Sequence, residues 1–236
     1  MMVNMGLGLG IFVIICFLFI IILLWNKHKN LKLLKTVTSP RRGTWSERDL
    51  VLKLLKYGIP SQTIFHDLYV RCSNGYFSQI DVVVPTKAGI IVFEVKDYSG
   101  WLFGKGNQSH WCQVLAYGKE KHKFYNPVKQ NETHIKSLRQ SLNTCISTDL
   151  PIYSVIVFYG DCRFRDISSI PNNTFVIKHH DLPQTLKFIM DKDVPVNYLN
   201  KREVLRLLRD SVMNGENPHI VAQHRQMVCN VTYNYD

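Results

Sequence analysis

Three charged side chains lie inside two apolar runs. Asp81 sits in Gln79-Ile80-Asp81-Val82-Val83-Val84, and Glu94 and Lys96 sit in Ile90-Ile91-Val92-Phe93-Glu94-Val95-Lys96. The Val, Ile and Phe content of both runs and the turn chemistry of Pro85 to Gly89 predict a β-hairpin. A turn centred between Lys87 and Ala88 puts Asp81 opposite Glu94, and the period-two alternation of strands puts Lys96 on their face, opposite Gln79. Opposed side chains stand roughly 4.5–5.5 Å apart at Cβ, where like charges repel. A divalent cation relieves that repulsion. Mg²⁺, with Mn²⁺ as a substitute, takes carboxylate and carbonyl oxygens, here Asp81, Glu94 and the Val95 carbonyl, and keeps positions for water and a phosphate oxygen. Lys96 beside them would hold or deprotonate that water; with equal weight, it would serve as a structural bridge to Glu94 or Asp81.

The rest of the chain decides where such a site would work. With 236 residues, 46% of them hydrophobic, it has material for one core of ordinary size plus attachments. Leu7 to Trp25 is uncharged and almost wholly apolar, and as a helix it is about 28 Å long, close to the hydrocarbon thickness of a bilayer. A retained anchor is the expectation over a cleaved signal peptide, because no Lys or Arg precedes the run and no small-residue cleavage site follows it before Lys27. Six basic residues between Lys27 and Arg42 carry more than half of the formal charge of +11, and the first acid is Glu47. That asymmetry places the C-terminal bulk in the cytoplasm. Cys16, Cys72, Cys112, Cys145, Cys162 and Cys229 form no C-x-x-C pair and are expected as reduced thiols.

The expected organisation is an anchor over residues 1–26, with residues 7–25 in the bilayer, a basic linker over 27–42, a core over 43–160, and completing elements over 161–236. Ser46 is expected to cap a helix with apolar positions Leu50, Val51, Leu54 and Leu55, stopped at Gly58-Ile59-Pro60. Thr63 to Val70 reads as a strand before the hairpin. Short aromatic strands near Trp101 to Phe103 and Trp111 to Tyr117, with glycines at 100, 104 and 106, read as a curl of the same sheet. Asn126-Pro127 opens a helix to about Asn143, and Ile152 to Tyr159 is an unbroken apolar strand of the kind buried on both faces. A strand over Thr174 to Lys178 and helices near Leu182 to Met190 and Asn200 to Val212 follow, and beyond Asn214 the pattern fades into a polar tail.

The stretch Gly43 to Leu142 resembles the nuclease-related domain family of the PD-(D/E)XK phosphodiesterases. The matching pieces are Ser46-Glu47 on the early helix, Gln79-Ile80-Asp81, Gly89 before Phe93-Glu94-Val95-Lys96, Trp111-Cys112-Gln113, and Asn126-Pro127-Val128-Lys129-Gln130-Asn131. The resemblance implies an α/β fold with a restriction-endonuclease-like core: a helix, a three-stranded antiparallel meander, a helix and a strand, here preceded by one transmembrane helix. It implies Asp81 and Glu94 as metal ligands, Lys96 as the catalytic lysine, Glu47 as an auxiliary acid and Gln130 near the scissile phosphate. The activity it implies is Mg²⁺-dependent hydrolysis of nucleic acid, DNA in the first instance. The rivals are a membrane-tethered nucleic-acid-binding module that has lost cleavage and an interaction protein on the same fold.

Other clusters carry weaker signals. Trp101, Trp111, Phe124 and Tyr125 could stack bases, though core packing is the more economical role. Lys119, Lys121, His122 and Lys123 fit a solvated face. His179-His180-Asp181, His219 and His224 lack metal-ligand spacing with cysteine partners.

Overall fold

The computed structural model of the chain describes residues 2–73, 75–115, 118–191, 196 and 198–233. Its first element, α1 (Met2–Leu34), is a single helix. The stretch Phe12–Leu34 is long and apolar enough to cross a membrane, and its large apolar side chains from Phe12 to Trp25 are all exposed. The basic stretch that follows Trp25 stays helical to Leu34, whose side chain is buried in the same apolar cluster as Leu50 and Leu54. Beyond the helix, Thr38 and Arg42 are tied to the domain: Thr38 Oγ1 lies 2.7 Å from His66 Nδ1, and Arg42 Nε lies 3.0 Å from Asp67 Oδ2.

Helix α2 (Trp45–Tyr57) is capped by Thr44, not by Ser46 as expected. The Thr44 side chain accepts from the Glu47 N–H while Glu47 Oε1 accepts from the Thr44 N–H, a capping box that satisfies two otherwise orphaned donors. Ser46 therefore falls inside the first turn, where its hydroxyl donates to Asp97 Oδ2 at 2.7 Å. Leu50, Val51 and Leu54 face inward, and the helix ends at Gly58 with φ 103°.

Strands β1 (Phe65–Arg71), β2 (Phe77–Thr86) and β3 (Gly89–Asp97) follow, then β4 (Gly100–Lys105), β5 (His110–Leu115), β6 (Glu120–Tyr125) and helix α3 (Pro127–Ser141). After them come β7 (Ile152–Tyr159), β8 (Cys162–Ser168), β9 (Thr174–Lys178), α4 (Leu182–Met190), α5 (Lys201–Asn214) and α6 (Pro218–Tyr233). Among the described residues the strands form two sheets, ordered β1-β2-β3-β7-β9 and β6-β5-β4-β8. The first has the expected antiparallel meander, with β7 and β9 added in parallel. All of β7 is buried, as a strand covered on both faces must be. Alternation along β3 sends Ile91 and Phe93 toward α2 and α4, and Ile90 and Val92 toward α3 and α5.

Three expectations are corrected. The aromatic strands do not continue the first sheet; they build the second, because the chain turns at Gly100, whose φ of 78° brings its backbone against the Val114 carbonyl so closely that a Cβ would collide with it. Strands β6 and β8 were not anticipated, since Glu120-Lys121-His122-Lys123 and Arg163, Arg165 and Asp166 carry charges where apolar alternation would have signalled a strand. The C-terminal segment is a helix and not a polar tail: α6 starts where Asn217 Oδ1 accepts from the His219 N–H, and its His224 Nδ1 lies 2.9 Å from the Phe77 carbonyl. Tyr117, the expected end of a strand, and the Cys229 thiol lie outside the described residues.

Asn126 joins the turn between β4 and β5 to α3. It is fully buried, its Oδ1 accepts from the Val128 N–H at the start of α3, and its amide donates to the carbonyls of Lys105, Gly106 and Gln108 at 3.1, 3.0 and 2.7 Å. Asn126→Ala removes the cap and strips those carbonyls of a donor, and is expected to lower unfolding free energy in urea by about 2–3 kcal/mol. Asn126→Ser, which keeps a capping oxygen, should recover about 1 kcal/mol of this.

Candidate active site

The hairpin has the expected register. Val82 pairs with Phe93, Val83 with Val92 and Thr86 with Gly89. The ladder stops at Val82 and Phe93, one step short of Asp81 and Glu94. There the Asp81 carboxylate takes over the role of a backbone acceptor, and its Oδ2 receives the Val95 N–H at 2.7 Å. The neighbouring pair opens at the same level. Asp67, between the paired residues His66 and Leu68 of β1, has φ 56°, and its carboxylate is fixed by Arg42 and by Gln79 Nε2 at 3.0 Å. A positive φ is costly for a non-glycine residue, so these bonds hold a kink that the strand would otherwise straighten. The two acids thus flank a place where β2 leaves β3.

Glu94 is buried and held from two sides: Lys96 Nζ is 2.7 Å from its Oε1 and His134 Nε2 is 3.2 Å from its Oε2. Lys96 Nζ also donates to Gln130 Oε1 at 2.9 Å. Helix α3 supplies Gln130 and His134 four residues apart, hence on one face, and anchors that face through Asn131, whose amide donates to the Val92 carbonyl at 3.0 Å and to Ser154 Oγ at 2.9 Å. Ser78 Oγ, 2.7 Å from His134 Nδ1, fixes the other side of that ring.

Glu47 approaches from α2. Its Oε2 lies 3.3 Å from Nε2 of the buried His66, and Gly43, with φ 63°, packs over this pair so tightly that a Cβ would strike both side chains. The structure therefore brings Asp81, Glu94, Lys96 and Gln130 together at the opening, with Glu47 close enough for its charge to act on Asp81. His134 and His66 escaped the sequence argument. The first was signalled by its four-residue spacing from Gln130 on a helix; the second had no local signal, because its partners Thr38 and Glu47 are distant in the chain.

The charges are unequal in their comfort. Burial, with the nearby charges of Glu94 and Glu47, holds the Asp81 carboxyl well above the ordinary carboxylate range despite Lys96 and the Val95 N–H. Burial also pushes Glu94 upward, but Lys96 and His134 more than reverse this and keep it low. For Lys96 burial opposes the charge and Glu94 and Asp81 outweigh it, so the ammonium is held more firmly than usual. Burial raises Glu47 as well, yet His66 and Thr44 bring it below its ordinary value. Two carboxylates that repel each other, one of them with a buried Oε2 lacking a well-directed hydrogen bond, suit a hard cation. Among the described residues no three His, Cys, Asp or Glu side chains enclose a metal alone. The carboxylates that could hold such an ion here are those of Asp81 and Glu94.

Residues 42–159, half of the chain, match the family model of the nuclease-related domain. Over 150 residues, 64% of this chain and 68% of the relative, the sequence is 27% identical to an uncharacterised protein of Bacillus anthracis. No solved structure matches.

The Asp81 shift has a signed consequence. An acid whose folded pKa is raised holds its proton more tightly folded than unfolded, so its contribution to stability falls as pH climbs from its unfolded value, about 4, toward its folded one. In EDTA, Asp81→Asn is expected to melt above wild type, by a margin that widens from about pH 4 to neutrality. In saturating Mg²⁺ the order should reverse. Thermal melts across that pH range, with and without the metal, check both signs.

Proposed function

The chain belongs to the nuclease-related domain family, and from that premise we propose that it is a membrane-anchored, Mg²⁺-dependent nuclease that hydrolyses phosphodiester bonds of DNA. The observation that carries this reading is the opening in the β2-β3 ladder, where Asp81 and Glu94 converge beside a charged Lys96. Asp81, Glu94 and the Val95 carbonyl would hold the metal, which supplies Lewis-acid stabilisation of charge on the reacting phosphate.

The chain's own residues do the positioning. Lys96, kept protonated by Glu94, orients the attacking water and offsets phosphate charge; a lysine held in that state does not serve as the proton acceptor. Gln130 aims the Lys96 ammonium, and His134 braces the back of Glu94. Glu47, bound to His66 and Thr44, adds a fixed negative charge near enough to act on Asp81. No covalent intermediate is needed, because water is the nucleophile.

For localisation, α1 would span the bilayer, and the six cations that follow its apolar part would keep the domain on the cytoplasmic side. A second reading has one observation in its favour: the 2.7 Å contact of Lys96 with Glu94 is also what a structural bridge would make. On that reading Lys96 and Glu94 only stabilise the hairpin, and the domain is a membrane-anchored interaction protein.

The full chain in detergent micelles, given DNA and Mg²⁺, is expected to cleave it. Asp81→Ala and Lys96→Ala should each reduce the rate by about 10²-fold or more, and Gln130→Ala by less. Cleavage at a wild-type rate by either alanine variant removes the assignment. A Mg²⁺-dependent rise in melting temperature without any cleavage selects the binding module instead.

A further inference from the structure

The second sheet has one covered face and one open face. Its inner residues, Leu102 and Trp111, are buried against Val128, Ile156 and Phe158. Its outer face is read directly from the strand pairing, since paired residues on neighbouring strands point the same way. One row across the sheet is Lys121, Val114, Trp101 and Arg163; the next is Lys123, Cys112, Phe103 and Asp166. The middle strands thus present an aromatic and apolar floor, and the two edge strands carry cations. The register slips between Leu102 and Phe103, which adds a further residue, Arg165, whose guanidinium lies over the Trp101 ring at 4.7 Å from its centre.

We propose that this open face is a docking platform for a single-stranded segment of nucleic acid. Lys121 and Lys123 form one rail and Arg163 and Arg165 the other, all four exposed, with Trp101 and Phe103 partly buried between them. The four strands span about 14 Å from rail to rail, room for one strand to run its phosphates along a rail and lay its bases across the floor. Two hollows of about 580 and 370 Å³ lie on this surface, the first reached by Lys105 and Lys123, the second by Trp101 and Arg163. Asp166 and Asp161 are the acids beside the hollows, leaving Lys105 and the rail cations in excess.

Charge and chemistry select the occupant. A protein partner would have to bring acids to both margins of an apolar patch at this one spacing, whereas a phosphate backbone carries a charge at every residue. A duplex keeps its bases stacked inside and gives the indole and phenyl rings nothing to stack on; an unpaired strand offers both phosphate and base face. The indole already carries one flat cation, Arg165, and a base can stack beside or in place of it. Chain order places this face next to the reacting centre in sequence: Lys96 ends the catalytic triplet and β4 begins at Gly100. The inference deepens the nuclease reading and rests on it for the choice of nucleic acid as the partner class.

The experiment is a fluorescence-anisotropy titration of the full chain in detergent micelles with a fluorescein-labelled oligothymidylate, in EDTA so that no cutting occurs. Trp101→Ala is expected to weaken binding about tenfold, with Trp101→Tyr recovering most of it, and Lys121→Glu with Lys123→Glu should weaken it at least as much and flatten its salt dependence. The platform is overturned if the Trp101 and lysine variants bind like wild type, or if duplex DNA binds as tightly as the oligothymidylate. Lys121 and Lys123 are exposed edge residues, so their result stands even where Trp101→Ala lowers stability. The two readouts separate the two proposals: a protein that binds through this face and never cleaves in Mg²⁺ refutes the nuclease reading alone, and one that cleaves while indifferent to the face variants refutes the platform alone.

Discussion

The structure depends on one electrostatic conflict that the fold tolerates: Asp81 and Glu94 are brought together where a β-ladder stops. Glu94 lies on a sheet face that α3 covers, away from the solvent that would screen its charge. Here β2 leaves β3 after Val82, and the Asp81 carboxylate itself caps the Val95 N–H that the missing ladder would have bonded. The rest of the local architecture compensates. Lys96 neutralises Glu94 and His134 braces its other oxygen, Arg42 and Gln79 hold the kinked Asp67, and the capping box restrains Glu47. Lys96 and the Val95 N–H relieve Asp81 only in part, so burial and its acidic neighbours leave it with a raised proton affinity. The strain is concentrated on the residue with most to gain from a cation.

Much of this was legible in the chain. The apolar runs with a Pro85–Gly89 turn set the hairpin register, and alternation set Glu94 and Lys96 on one face, because both are local geometric rules with few alternatives. Asn126-Pro127 marked the start of α3 for the same reason: a side-chain cap and a proline at the first helical position act within one turn. The misses have a common cause. Thr44 outcompeted Ser46 for the cap because the chain enters from the left-handed Gly43, and that turn answers to His66 on another strand. His66 and His134 are fixed by partners far away in sequence, and strands β6 and β8 are held by pairing although their own residues are charged. Periodicity carries no trace of such tertiary bonds.

The second sheet shows how glycine converts one strand run into two. Gly100 turns the chain out of β3, and Gly104 allows the Trp111 ring to lie directly on β4, where any Cβ would intrude. Trp111 and Phe158 stack with their planes 3° apart, which ties the two sheets through a shared aromatic layer. Of the aromatics singled out in the chain, Trp111 is therefore core, while Trp101 stays at the surface on the opposite side of the same sheet.

The seat of α1 carries a last implication. Leu34 enters the core as the helix ends, and Thr38 and Arg42 are bonded to β1 within the next two turns' worth of chain, so the apolar helix and the domain meet with no slack between them. With α1 in a bilayer, the cleft would be mounted on a short rigid mast rather than swung on a leash. Its height above the lipid would be fixed and its search confined to two dimensions, so a polymer would have to be threaded or drawn down to the surface to be reached.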